Sequence, residues 1–125
     1  MKLMAIGMLG VSLTLISYNA SAEQPFTAKQ LYSSCYALTS DYSGPNANSL
    51  SRFCMGYFSA VIDSFVAYDA LGPRPSVLRC VPSRISTADA VGVFMLYLQG
   101  NQDQLNDPAI AAILKAFSEE YPPTC

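Results

Sequence analysis

The 125-residue sequence contains no histidine, and this absence removes several kinds of chemistry. Without an imidazole there is no Ser-His or Cys-His nucleophile pair, and no ordinary side-chain base titrates near neutral pH. The sequence also lacks a P-loop, a glycine-rich nucleotide motif and an oxygen-rich calcium loop. The carboxylates at Asp103, Asp107, Glu119 and Glu120 are more typical of solvated surface or of helix caps than of a catalytic pair. We therefore predict that the protein is not an enzyme and uses no metal or cofactor.

Basic residues are also scarce, since seven Lys and Arg stand against nine Asp and Glu. They form no cluster, whereas nucleic-acid binding depends on Lys and Arg side chains that neutralise phosphates. Beyond residue 22 there is no long uninterrupted apolar run, so no later segment is predicted to span a membrane. Nucleic acid and a lipid bilayer are therefore both disfavoured as partners.

The one sustained apolar run lies near the N-terminus, from Leu3 to Ile16, behind Lys2. Its length of about 14 residues is short of the ~20 needed to cross a bilayer. Small residues follow at Ala20-Ser21-Ala22. This layout predicts a signal peptide over residues 1–22 and a periplasmic mature domain over residues 23–125. Cleavage also removes Lys2, which leaves six basic and nine acidic residues and a net charge of −3.

All four cysteines lie in the predicted mature domain, at Cys35, Cys54, Cys80 and Cys125. An even count in a small exported domain predicts disulfides. A zinc site is the alternative, but spacings of 19, 26 and 45 residues and the lack of histidine do not fit one.

Sequence alone leaves the pairing of the four cysteines open among three connectivities. We prefer Cys54–Cys80 together with Cys35–Cys125, on grounds of reach. About 16 residues, or ~24 Å of helix, separate Cys54 from the end of its helix. The segment from Leu71 to Cys80 can stretch ~33 Å, so it can run back along that helix to Cys54.

The predicted mature domain is all-α, a compact bundle of about four helices stapled by two disulfides. Apolar residues recur at helical spacing in four segments, and no credible strand pair is present. Caps and prolines set the ends of these segments. The predicted helices start at Thr27-Ala28, about Ser49, Ser86-Thr87 and Asp107-Pro108, and end near Leu38, at Ala70, at Gly100 and before Pro122.

Two loops are candidate partner-binding sites. We call residues 72–84 the proline loop, since Pro73 and Pro75 restrict its first part and Cys80 ties it down. Its arginines can make bidentate hydrogen bonds to carboxylates. Residues 100–106 form the amide loop, whose side-chain amides can bind polar groups. An ordinary surface crossover is the alternative interpretation of the proline loop. The candidate contact residues are Pro73, Arg74, Pro75, Ser76, Arg79, Asn101, Gln102 and Asp103.

The cysteines are embedded in an ordered set of short motifs. Phe53-Cys54-Met55-Gly56-Tyr57 is followed by Cys80-Val81-Pro82 and by a closing Tyr121-Pro122-Pro123-Thr124-Cys125. With Leu31 and Cys35 upstream, this order resembles the Rap/Tai family, the immunity proteins of type VI secretion systems. The chain departs from the family at residues 101–103, which read Asn-Gln-Asp where members often have His-Pro-Glu.

The resemblance implies a function and a partner. It implies an all-helical periplasmic protein that binds and blocks a peptidoglycan-cleaving amidase effector delivered by neighbouring cells, and a possible homodimer. An acid-stress holdase chaperone and a structural assembly factor remain as alternatives. A holdase should open and bind client proteins at about pH 2–3, whereas a stapled inhibitor should stay folded there.

Overall fold

The computed structural model describes residues 24–39 and 41–125. Within these residues the chain forms four α-helices and no strand, and a single isolated bridge pairs Thr27 with Pro108. The prediction of a four-helix, all-α domain is confirmed. The predicted signal peptide, residues 1–22, lies outside the described residues. The helices are α1 (Ala28–Tyr36), α2 (Ala47–Leu71), α3 (Thr87–Gly100) and α4 (Ala109–Glu120), with short 3₁₀ turns at Ser76–Leu78 and Gln102–Asn106.

Local capping signals start two of the helices as predicted. At α1, the Gln30 amide donates to Thr27 Oγ1 at 3.3 Å, and the Thr27 amide donates to Gln30 Oε1 at 2.8 Å. At α3, Ser86 Oγ accepts from the Asp89 amide at 3.0 Å. These side chains satisfy backbone donors that have no partner inside the helix.

The predicted cap of α4 is wrong. Pro108 occupies the cap position without any side-chain bond, and the helix begins at Ala109. The carboxylate of Asp107 instead accepts from Lys115 Nζ at 2.8 Å. The Asp107 carboxylate, which was expected to cap α4, therefore forms an ion pair with Lys115 two turns along the helix.

The core forms where α2 packs against α1 and α3 while α4 covers α3 and α1. Aromatic rings join these layers. Phe58 of α2 lies 5.4 Å from Phe94 of α3, and Phe65 of α2 meets Phe117 of α4 edge-on at 5.8 Å between ring centroids. All four side chains are almost fully buried, so they supply much of the hydrophobic stabilisation of the fold.

The starts of α1 and α4 are tied together by two backbone hydrogen bonds. The Ala109 amide donates to the Phe26 carbonyl, and the Ala28 amide donates to the Asp107 carbonyl, both at 2.8 Å. These bonds satisfy first-turn amides of both helices. As a result, the 3₁₀ turn that precedes α4 lies beside α1.

Two disulfides form, as predicted, but the predicted pairing is wrong. Cys35 bonds to Cys54, with a Cα–Cα distance of 5.0 Å, and Cys80 bonds to Cys125, with a Cα–Cα distance of 5.7 Å. α1 packs against α2, and their contact brings the last turn of α1 to Cys54. The first bridge is therefore a local staple between consecutive helices.

The path of the chain after α2 explains the second bridge. The segment is long enough to run back along α2, yet it does not do so. Arg74 binds Asp69 at the end of α2, and the following 3₁₀ turn packs against α4. Cys80 is thereby carried to Cys125, in the segment that follows α4. The length of the segment only limits which cysteines Cys80 can meet. Packing of the 3₁₀ turn against α4 determines that its partner is Cys125.

Candidate partner-binding surfaces

Arg74, predicted as a contact residue of the proline loop, is engaged inside the protein, and its side chain is only 8% exposed. Its Nε and Nη2 donate to the two carboxylate oxygens of Asp69 at 2.6 and 2.7 Å. Nη1 donates to the carbonyls of Leu78 and Val81 at 3.3 and 2.6 Å, and Nη2 also donates to Ser83 Oγ at 3.3 Å. These bonds use all five N–H donors of the guanidinium.

Arg74 therefore fixes the shape of the proline loop from within. Its hydrogen bonds to Asp69 hold the pKa of that carboxyl below its ordinary value. The guanidinium also lies over the Phe65 ring, 5.8 Å from the centroid. Pro73, Pro75, Ser76 and Arg79 are exposed, and their predicted contact with a partner stays a prediction.

An apolar groove runs between the proline loop and the bundle, with a volume of about 250 Å³. Tyr68 from α2, Val77 from the loop and Ile110 from α4 form its rim and are each more than 40% exposed. Sequence analysis missed this groove, because Tyr68 and Ile110 continue the apolar stripes that predict buried helix faces. Helical periodicity predicts which face of a helix is apolar, but it does not show how far along that face a neighbouring helix covers it.

The amide loop is committed largely to the end of α3. Asn101 Nδ2 donates to the Tyr97 carbonyl at 2.8 Å, and Gln102 Nε2 donates to the Leu98 carbonyl at 2.7 Å. The last turn of a helix leaves its carbonyls without intrahelical donors, and these side chains supply donors there. The Leu98 carbonyl also accepts from the Asn101 backbone amide at 3.2 Å. The Asp103 carboxylate accepts from the side-chain Nε2 of the neighbouring Gln104 at 3.1 Å, and the Asp103 side chain is exposed. The predicted contact role of these residues stays a prediction.

The proline loop and the amide loop border different grooves. The amide loop adjoins a groove of about 160 Å³ between α3 and α4, lined by Tyr97, Asn101 and Glu119 among others. Burial raises the pKa of Tyr97, and the nearby Lys115 ammonium partly opposes that rise. The proline loop borders the groove at Ile110, on another side of α4. The two candidate sites therefore do not merge into one.

A third surface, which sequence analysis did not single out, is the outer face of α3. Ala88, Gly92, Leu96 and Gln99 form this face; Leu96 is 68% exposed, and a side chain added at Gly92 would meet no neighbouring atom. No charged residue occurs from residue 90 to residue 102. A helix that is apolar nearly all round is normally covered, so an uncovered one indicates an interaction surface.

Residues 24–39 and 41–125 contain neither a candidate metal site nor a candidate membrane span. No group of three or more His, Cys, Asp or Glu side chains lies close enough together there to hold a metal ion. In the same part of the chain, no helix is both long and apolar enough to cross a membrane.

The described residues define a small all-helical protein with two disulfides. The chain belongs to the Rap1a immunity protein family, whose model matches residues 27–125. This match includes all four helices and all four cysteines, and it confirms the resemblance drawn from the cysteine motifs. No curated protein and no solved structure matches the chain.

Proposed function

We propose that this protein is a periplasmic immunity protein that binds and inhibits a peptidoglycan amidase effector of a type VI secretion system. The family match over residues 27–125 carries the proposal. Protection is by stoichiometric, non-covalent binding, and the protein has no catalytic activity of its own. Its four cysteines are paired, which suits an oxidising compartment outside the cytoplasm.

The proline loop is the proposed contact with the effector. An inhibitor gains affinity when its contact segment is ordered before binding, because less conformational entropy is then lost. Two prolines, the internal bonds of Arg74 and the Cys80–Cys125 bridge all restrict this loop. The exposed Arg79 supplies a guanidinium that can pair with a carboxylate of the effector.

Co-expression in the periplasm tests this proposal. The amidase effector encoded beside this gene is exported alone or together with this protein, and lysis is scored. We expect lysis with the effector alone and survival with both proteins. Arg79→Glu should weaken protection, whereas Arg52→Glu, the same charge reversal at an exposed position of α2, should not. Full protection by Arg79→Glu would move the contact to the amide loop, or, if Arg52→Glu weakens protection, to the face of α2 that carries Arg52 and Asp63.

We further propose that two copies associate through the outer face of α3. The predicted mature chain carries a net charge of −3, which weakly opposes association, so a face that carries little charge favours contact between two copies. From residue 90 onward α3 itself carries no charge, although Asp89 and Glu120 border one side of this face. Gly92 allows a second helix to approach closely. No residue of the proline loop lines either of the two grooves that border this face, so the loop of a dimer stays available to the effector.

A further inference from the structure

The two disulfides lie in very different surroundings. Cys35 and Cys54 are 1% and 0% exposed, within the hydrophobic core. Cys80 is only half-buried, and Cys125 is exposed. Thiol–disulfide exchange requires a thiolate to reach one of the two sulfurs, so exposed bridges are reduced more readily than buried ones. A reductant can therefore reach the Cys80–Cys125 bridge, whereas the core shields the Cys35–Cys54 bridge.

We propose that the Cys80–Cys125 bond is a redox latch, which a dithiol reductant opens while Cys35–Cys54 stays closed. One thiolate of the reductant attacks a sulfur of the bridge and forms a mixed disulfide, displacing the other cysteine as a thiolate. The second thiol of the reductant then closes its own disulfide and releases the first cysteine. In total two electrons and two protons pass to the protein, which ends with thiols at Cys80 and Cys125.

The latch joins the proline loop to residues 121–125, which follow α4. Once it opens, the loop keeps its other attachment, since Arg74 binds the carbonyls of Leu78 and Val81 on either side of Cys80. The core and the Cys35–Cys54 bridge are untouched. The opened form is therefore folded, with a loosened proline loop and a freed segment 122–125.

The consequence for binding rests on the proposed function, whereas the order of reduction does not. If the proline loop contacts the effector, opening the latch removes part of its pre-organisation and lowers affinity. The latch then makes the strength of inhibition sensitive to the redox state outside the cytoplasm.

Graded reduction of the oxidised mature protein tests the latch. The native protein is treated with increasing dithiothreitol, quenched with iodoacetamide and mapped by mass spectrometry. We expect Cys80 and Cys125 to be alkylated together at least tenfold faster than Cys35 and Cys54. In denaturant the two bridges should open at similar rates, which ties the difference to burial. Equal rates in the native protein, or earlier opening of Cys35–Cys54, would overturn the proposal.

A variant with Cys80→Ser and Cys125→Ser reproduces the opened state without reductant. Its far-UV circular dichroism should match the wild type, while hydrogen exchange should rise in residues 72–84 and stay unchanged in α1. A variant that is unfolded, or whose loop is equally protected, would contradict the latch. Affinity for the effector amidase should fall three- to tenfold. Absence of binding by the wild type would count against the proposed function. It would not affect the conclusion on which of the two disulfides is reduced first.

Discussion

Arg74 holds both carboxylate oxygens of Asp69, at 2.6 Å from Nε to Oδ1 and 2.7 Å from Nη2 to Oδ2. Asp69 lies in the last turn of α2 and Arg74 in the proline loop, so the pair fixes the direction in which the chain leaves the helix. Gly72, between them, has a φ of 157°, which residues with a side chain rarely adopt. The ion pair and the glycine together turn the loop toward α4.

Loss of the Arg74 side chain should destabilise the protein through the loop. Arg74→Ala removes the guanidinium donor from the Val81 carbonyl and breaks the ion pair with Asp69, while the Leu78 carbonyl keeps only the Val81 amide as a donor. We therefore expect the free energy of unfolding to fall by about 1–3 kcal/mol. Arg79→Ala, at an exposed position of the same loop, should change it by less than about 0.5 kcal/mol. Urea unfolding followed by circular dichroism measures both variants. Equal effects of the two substitutions would show that the internal bonds of Arg74 do not support the fold.

The Arg74–Asp69 pair should also make stability depend on pH. Because Arg74 lowers the pKa of Asp69 below its ordinary value of 3.8, the unfolded state binds this proton more readily than the folded state. The pair therefore contributes stability above the ordinary pKa, and the contribution is lost as the pH falls through the lowered value. We expect wild type to melt above Asp69→Asn at pH 7, with the gap closing as the pH falls below 3.8. A gap that stays constant with pH would contradict this account.

Leu96→Glu should separate a dimer without unfolding the monomer. Leu96 is 68% exposed, so its replacement costs little in the monomer but places a charge in the proposed self-interface. Sedimentation analysis should show wild type as a dimer and Leu96→Glu as a monomer. Ile110→Glu, at a 46% exposed position beside the proline loop, is the matched control and should remain dimeric. A monomeric wild type would show that the proposed dimer does not form. Dissociation by Ile110→Glu alone would place the interface beside the proline loop instead of on α3.

The features that could be predicted from the sequence were local ones. Thr27 and Gln30 stand three residues apart, and their capping pattern needs no knowledge of the rest of the fold. The pairing of Cys54 depends instead on which helix lies beside it, and chain reach gave only an upper limit on distance. In the structure α1 packs against α2 and places Cys35 beside Cys54.

Arg74 shows a second limit of sequence-based prediction. A loop arginine between two prolines has the pattern of an exposed contact, but the acceptors of Arg74 are a carboxylate, two backbone carbonyls and the Ser83 hydroxyl. The carbonyls have no sequence signature, so only the folded loop reveals that all five donors are occupied. The outer face of α3 was visible in principle, because Asp89 is the only charged residue between Thr87 and Gly100. The buried stripe of the same helix, Val91, Phe94 and Leu98, gives the stronger periodic pattern and does not distinguish a covered outer face from an exposed one.

The most direct test of the central claim is a titration of the neighbouring amidase effector with this protein, measured as release of cleaved peptide from purified peptidoglycan. We expect activity to fall linearly and to stop near one equivalent of oxidised protein, with a complex of both chains on gel filtration. Full amidase activity in several-fold excess of folded protein, with no complex, would contradict the immunity function. If that same protein instead suppressed client aggregation at about pH 2–3, the result would favour the holdase alternative.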